Sequence, residues 1–273
     1  MVQLIVVDIY VMNMPINIII YMFIIKNGGI SSARNLGLEK INKRSSYVGF
    51  VDSDDFIDPN MYKILYDNLL KYEGDISICN FRRTYDDNYA SEKANNIRVI
   101  NGIDLIENYF DNIDICMIVW NKLYKRECID GIKFELDRIS EDQIYSPQVI
   151  YKSKKVVITD AKLYYYYQRK DSLSHEWSKM DGWEHFFYAA ECYIKFGKQI
   201  KNKVFIEKST EYYIGSLLCK TVESYGKDKK EYHRWRKMYG RALKKYVFEI
   251  KNYKARIAYL LYYIIPKLYI LIT

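Results

Sequence analysis

Residues 47–55 read Tyr-Val-Gly-Phe-Val-Asp-Ser-Asp-Asp, an apolar run that ends abruptly in three carboxylates. A run of this length rich in Val and aromatics is the pattern of a buried strand, and the acidic cluster falls where that strand must leave its sheet. In open α/β sheets the space beyond the carboxyl ends of the strands is where ligands bind. Asp52, Asp54 and Asp55 therefore stand where a hard cation and a phosphate can be held. The plainer alternative is an acidic turn, with Asp58-Pro59 capping the next helix.

The rest of the chain alternates in a way that suits such a sheet. Asn27-Gly28-Gly29 reads as a turn and residues 31–43 as a helix, with Ile30, Ala33, Leu38 and Ile41 available to one side. A helix is predicted over 59–72, a strand over 75–81, a polar loop over 82–97 and a helix over 102–110 after Asn101. Residues 139–152 read as a helix, 155–160 as a strand and 163–168 as a tyrosine-rich strand. Strands alternating with helices predict an α/β sheet. Beyond Ser178 the strand pattern stops and long helical periodicity begins, which sets a boundary there.

The charge is divided in the same place. Residues 178–273 carry 20 Lys and Arg against 9 Asp and Glu, a surplus of 11, whereas residues 1–177 carry 22 against 25. The stretch 255–273 is almost wholly apolar but holds Arg256, Pro266, Lys267 and several Tyr, which argues against a span and for a helix lying on an anionic membrane surface. An amphipathic helix packed on its own domain is the alternative. The basic third mixes aromatics with aliphatics at core spacing and shows no recognised nucleic-acid module, so nucleic acid is not the expected partner. Five widely spaced Cys without a Cys-x-x-Cys pair, and only three His, point to reduced packed thiols in a cytosolic protein and leave a zinc site or a His-dependent triad unsupported. Residues 1–25 lack the basic start and cleavage pattern of a signal peptide, and their Asp8 and Asn13 suit a membrane span poorly.

Asn27-Gly28-Gly29-Ile30-Ser31-Ser32-Ala33-Arg34-Asn35, the 47–55 run, Trp120-Asn121-Lys122-Leu123-Tyr124 and Glu141-Asp142, in that order and spacing, resemble the family 2 glycosyltransferases over residues 27–170. The resemblance implies a GT-A type, Rossmann-like α/β domain that binds a nucleotide-sugar and Mg²⁺ or Mn²⁺, here followed by a C-terminal helical extension. It implies Asp142 as the base that activates the acceptor, and Asp54 as metal ligand. Asp52 is implied at the ribose or behind the metal, and Asn27, Gly28, Gly29, Arg34 and Asn35 near the sugar and diphosphate. Trp120 is implied as a sugar-facing wall, with Glu141 and Arg169 near acceptor or phosphate. The chemistry needs these residue types, because a sugar diphosphate leaves only if its charge is neutralised and an acceptor hydroxyl attacks only if a base takes its proton. The expected partners are a nucleotide-sugar donor, a UDP-sugar first, and a glycan or lipid-linked acceptor in bacterial cell-surface polysaccharide synthesis. The expected location is the cytoplasmic side of the cell membrane, as a peripheral protein.

The resemblance breaks at the start, where the family's first strand and its later Asp-Asp-Gly-Ser segment have no counterpart. With suitably chosen codons, Met1–Phe23 read one base earlier yields Gly-Ser-Thr-Asp-Arg-Ser-Gly-Tyr-Ile-Cys-Asp-Glu-Tyr, which is similar to the missing segment and the helix after it. Residues 1–26 are therefore set apart as an aberrant, frameshifted start. An open sheet edge and a weakened nucleoside pocket are expected to follow. An inactive relic or a membrane-docked interaction protein is the competing function. A phosphohydrolase with an Asp-x-Asp nucleophile is disfavoured by Phe56 at the fifth position and by the lack of a strand-end Lys with a second acidic pair.

Overall fold

The computed structural model describes residues 2–10, 17–25, 29–42, 44–85, 94–168 and 182–265. The chain divides into two compact units, residues 1–185 and 186–273. In the first, the strands are β1 (Val2–Tyr10), β2 (Asn17–Ile25), β3 (Tyr47–Asp52), β4 (Phe56–Ile57), β5 (Ile76–Thr84), β6 (Ile97–Asn101), β7 (Lys122–Lys125) and β8 (Lys155–Tyr167). They form one sheet in the order β2-β1-β3-β7-β5-β8-β4, with β6 also on β8. Among the described residues, β5 and β8 pair in parallel and the other pairings are antiparallel. The sheet is thus mixed, because a run such as β1–β2, joined by a few residues, can pair only as a hairpin.

Residues 1–26 depart from expectation. The edge beside β3 is not open: β1 pairs with it from Leu4 opposite Asp52 to Ile9 opposite Tyr47, and β2 forms the outer edge. Val2–Tyr10 and Asn17–Ile25 are dense in Val, Ile and Tyr, which fit a pleated surface whatever their origin. The two strands expected over 155–168 are likewise one long strand, β8. Its first half lies between β5 and β6, and its second half carries β4.

Helices α1 (Gly29–Lys40), α2 (Met61–Tyr72), α3 (Gly102–Glu107), α4 (Ile113–Cys116), α5 (Arg126–Ile129) and α6 (Glu141–Lys152) belong to this unit. Helix α2 buries Met61, Leu65 and Leu69, spaced one turn apart, against Val51, Leu123 and Leu163. It stops where Glu73 turns left-handed and the Gly74 N–H reaches back to the Leu69 carbonyl at 2.9 Å. Asp58 is not its N-cap. That position is Asn60, and the Asp58 carboxylate instead accepts the Asn60 N–H at 2.8 Å one step earlier. Asn101 does cap α3, accepting the Asp104 N–H at 2.7 Å.

The second unit is helical: α7 (Gly182–Gln199), α8 (Lys203–Ser224), α9 (Lys229–Tyr246) and α10 (Tyr253–Ile264), with α7 beginning at the boundary. Its core gathers Phe187, Tyr193, Phe205, Leu217, Trp235 and Tyr246. No helix among the described residues is long and apolar enough to cross a membrane. Cys79, Cys116 and Cys128 are buried free thiols.

Candidate active site

Strand β3 delivers its carboxylates at the tip of the sheet. A tight turn follows it, closed by the Asp55 N–H on the Asp52 carbonyl at 3.1 Å. The three acids do not converge on one point. Asp52 Oδ1 accepts from Arg34 at 2.9 Å. Asp55 spends both oxygens on β8, taking the Tyr164 hydroxyl on Oδ2 at 2.7 Å and the Tyr167 N–H on Oδ1 at 2.9 Å. Asp54, half-buried, sits between them. A three-carboxylate cation site is therefore not what the turn builds. Among the described residues no group of three or more His, Cys, Asp or Glu is assembled to hold a metal.

Burial of the Asp55 carboxyl pushes it up to about 7, against the Tyr164 hydrogen bond, which favours its charge. The same low-dielectric setting acts at α6. Burial lifts Glu141 above the carboxylate range despite the Arg34 guanidinium beside it, and raises Asp142 to about 6, also against Arg34. Asp142 Oδ1 accepts the Gln143 N–H at 2.8 Å.

Arg34 joins these two regions. It projects from α1, is 2% exposed, and donates one nitrogen to Asp52 and another to Glu141. Its guanidinium also lies 5.3 Å from the centre of the Phe134 ring. Burial alone would lower its pKa, but Asp52, Glu141 and Asp142 outweigh that and raise it. Two carboxylate regions are thus held around one cation. Buried atoms remain unsatisfied there, namely Arg34 Nε, Glu141 Oε2 and the Ser31, Ser140 and Tyr145 hydroxyls.

Several expectations are corrected. Arg34 is an internal strut and not a solvated helix residue, because the α1 face on which it lies is turned inward with Ala33 and Gly37. Asn35 is committed to the backbone of Phe134, donating to its carbonyl and accepting its N–H, both at 2.8 Å. A side-chain amide used twice in this way fixes a loop and has little left for a sugar. Trp120 is 6% exposed and its face is covered by Tyr164 at 4.1 Å between centroids, with Phe81 at its edge. It is a core residue. Gly29 opens α1 with φ +67 and open space where a Cβ would lie. Asn27, Gly28 and Arg169 lie outside the described residues.

Two residues escaped the sequence reading. Lys122 is wholly buried and donates to the Ile115 carbonyl at 2.6 Å, to the Ile118 carbonyl, and to Asn121 Oδ1 at 2.7 Å. Burial drives its ammonium down to about 8 while nearby Cys116, Cys79 and Asp142 pull it back up. A lysine inside the apolar run 115–124 was the available signal. Tyr164 is the other, hidden among four consecutive tyrosines.

A mixed sheet flanked by helices, with an acid turn at the end of a central strand and a carboxylate-bearing helix tied to it, defines a GT-A type domain. Residues 12–132 match the family described as glycosyl transferase family 2. The match begins inside the segment 1–26 that the sequence sets apart. Glycosyltransferase GlyA of Streptococcus pneumoniae is 30% identical over 176 residues, 59% of this chain and 24% of that protein. The minor teichoic acid biosynthesis protein GgaA of Bacillus subtilis is 29% identical over 150 residues, 54% of this chain and 33% of that protein. The chain thus spans between 24% and 51% of the length of the curated relatives it matches. TarS of S. aureus, solved in complex with UDP-GlcNAc, superposes with a TM-score of 0.57 at 16% identity, over 82% of this chain and 62% of that one, which shows a shared fold.

Proposed function

We propose that this chain transfers a sugar from a nucleotide-sugar, a UDP-sugar first, to a glycan or lipid-linked acceptor in bacterial cell-surface polysaccharide synthesis. The observation that carries the proposal is Arg34, buried between Asp52 of the acid turn and Glu141 next to Asp142, because it ties a donor site and a base into one assembly. Asp142, raised to about 6, holds a pKa suited to taking a proton from an acceptor hydroxyl near neutral pH. Asp54 fits Mg²⁺ or Mn²⁺, hard ions commonly held by one or two carboxylates plus the phosphates of the substrate. Such an ion would neutralise the leaving diphosphate. GgaA and TarS support this substrate class, the first by its teichoic acid role and the second by its complex with UDP-GlcNAc. Calorimetric titration with UDP and Mn²⁺ tests the donor site: Mn²⁺-dependent binding is expected, and UDP binding that ignores Mn²⁺ would refute the metal role. The same titration on a chain carrying a family-type N-terminal strand and Asp-Gly-Ser segment in place of residues 1–26 should give tighter binding. Equal affinity would remove the case for an impaired pocket.

The C-terminal unit favours a membrane surface. Helix α10 exposes Tyr253, Ile257, Leu260, Leu261 and Ile264, spaced so that they share one face, and it buries none of its residues. Helix α9 presents exposed Lys230, Lys237, Arg241 and Lys244 on one side. An apolar stripe in a unit carrying this much positive charge is complementary to an anionic lipid surface, where a lipid-linked acceptor would be met. Sedimentation with vesicles of phosphatidylglycerol and phosphatidylcholine should be retained at low salt and lost at high salt. Failure to sediment with anionic vesicles at low salt refutes the docking.

A further inference from the structure

We propose that Tyr164 is a positioning residue for the acid turn, fixing the site of Asp54 by tying both ends of residues 52–55 to β8. Its hydroxyl accepts the Asp52 N–H at 3.1 Å and donates to Asp55 Oδ2 at 2.7 Å. One oxygen thus bridges the residue that enters the turn and the residue that leaves it. The second Asp55 oxygen is held by the Tyr167 N–H at 2.9 Å, and immediately beyond it Phe56 and Ile57 pair with Tyr165 and Tyr164.

The ring that carries this hydroxyl is itself fixed. Tyr164 is fully buried and stacks on Trp120 at 4.1 Å between centroids, with planes 27° apart. Trp120 continues onto Tyr166 at 5.8 Å and meets Phe81 edge-on at 5.1 Å. The stack gives Trp120 its role: it holds the ring whose hydroxyl holds the turn. A turn pinned by three donor–acceptor contacts has little conformational freedom left to lose when a ligand binds. Asp54, at its centre, is thereby presented in one place.

Hydrogen exchange tests the latch without any ligand. Y164F keeps the ring and the stack but deletes the hydroxyl, and D55N keeps the size of the carboxyl but replaces the oxygen that receives the hydroxyl proton. Amide exchange at residues 52–55 should accelerate about tenfold in either variant while the rest of β3 and β8 stays protected. Unchanged exchange at 52–55, or a rise spread evenly over both strands, overturns the proposal. A second arm rests on the nucleotide-sugar reading given above. In Y164F the Mn²⁺ concentration for half-maximal UDP binding should rise about tenfold, with metal-free UDP affinity unchanged. If the native chain shows no Mn²⁺-dependent UDP binding, that reading fails, and the exchange arm still decides the latch.

Discussion

At the level of single residues, the site turns on which partner holds each carboxylate. Arg34 spends Asp52 and Glu141; Tyr164 and the Tyr167 amide spend Asp55. Replacing Asp142 with Asn should lower turnover by about 10²–10⁴ with UDP affinity little changed, the usual span for losing a general base. Turnover of the native chain should climb as pH rises through about 6, where Asp142 ionises. The stability effect has the opposite sense. Folded Asp142 keeps its proton to a higher pH than the unfolded chain does, so its contribution is greatest below the ordinary carboxylate range and fades as pH rises towards 6. Urea unfolding of D142N across pH 4–7 should lack that part of the slope. Replacing Arg34 with Gln strands the buried Glu141 and the half-buried Asp52, and a loss of about 3–5 kcal/mol in the same unfolding measurement is expected. The acidic run that closes β3 is legible in the sequence from residue type and order, whereas Asp142 stands out only through the family resemblance. The duties of Arg34, Asn35 and Trp120 are not legible there, since a polar or aromatic side chain reads alike whether it meets a ligand or another part of the chain.

Among the elements, the helices and strands were the most readable, because hydrophobic period is a local property. Helix α2 and strand β3 lie within a residue or two of expectation, whereas Asp160 and Lys162 break the apolar pattern of β8, so that its sequence resembles two strands. Asp160 is in fact turned outward, where its carboxylate accepts the N–H groups of Asn95 and Asn96. The close docking of α3 on the end of α6 likewise had no local sign beyond a glycine. A Cβ on Gly102 would lie 2.2 Å from the Ser153 carbonyl oxygen and 2.3 Å from that of Ile150. Backbone atoms cannot step aside as a flexible side chain can, so G102A should lower stability by about 1–3 kcal/mol or more, read from its thermal or urea midpoint.

For the molecule as a whole, the charge along the sequence changes near residue 178, and the chain divides into compact units between residues 185 and 186. The exposed stripe on α10 makes a prediction at this scale. I257E together with L261E should abolish sedimentation with anionic vesicles while leaving the melting temperature within about 2 °C, since exposed positions carry little of the fold's stability. Retained sedimentation would assign vesicle binding to the basic charge alone.

By itself the sequence determined that an apolar strand ends in acid, that a helix beginning Glu141-Asp142 follows, and that the last third is helical and basic. These are consequences of period, residue type and order along the chain. Only the tertiary structure decided that Arg34 meets Glu141, 107 residues away, that Tyr164 grips Asp55 across 109, and that β1 lies antiparallel to β3. Contacts at such separation depend on how elements are brought together, and nothing in the neighbourhood of either partner records the distance between them.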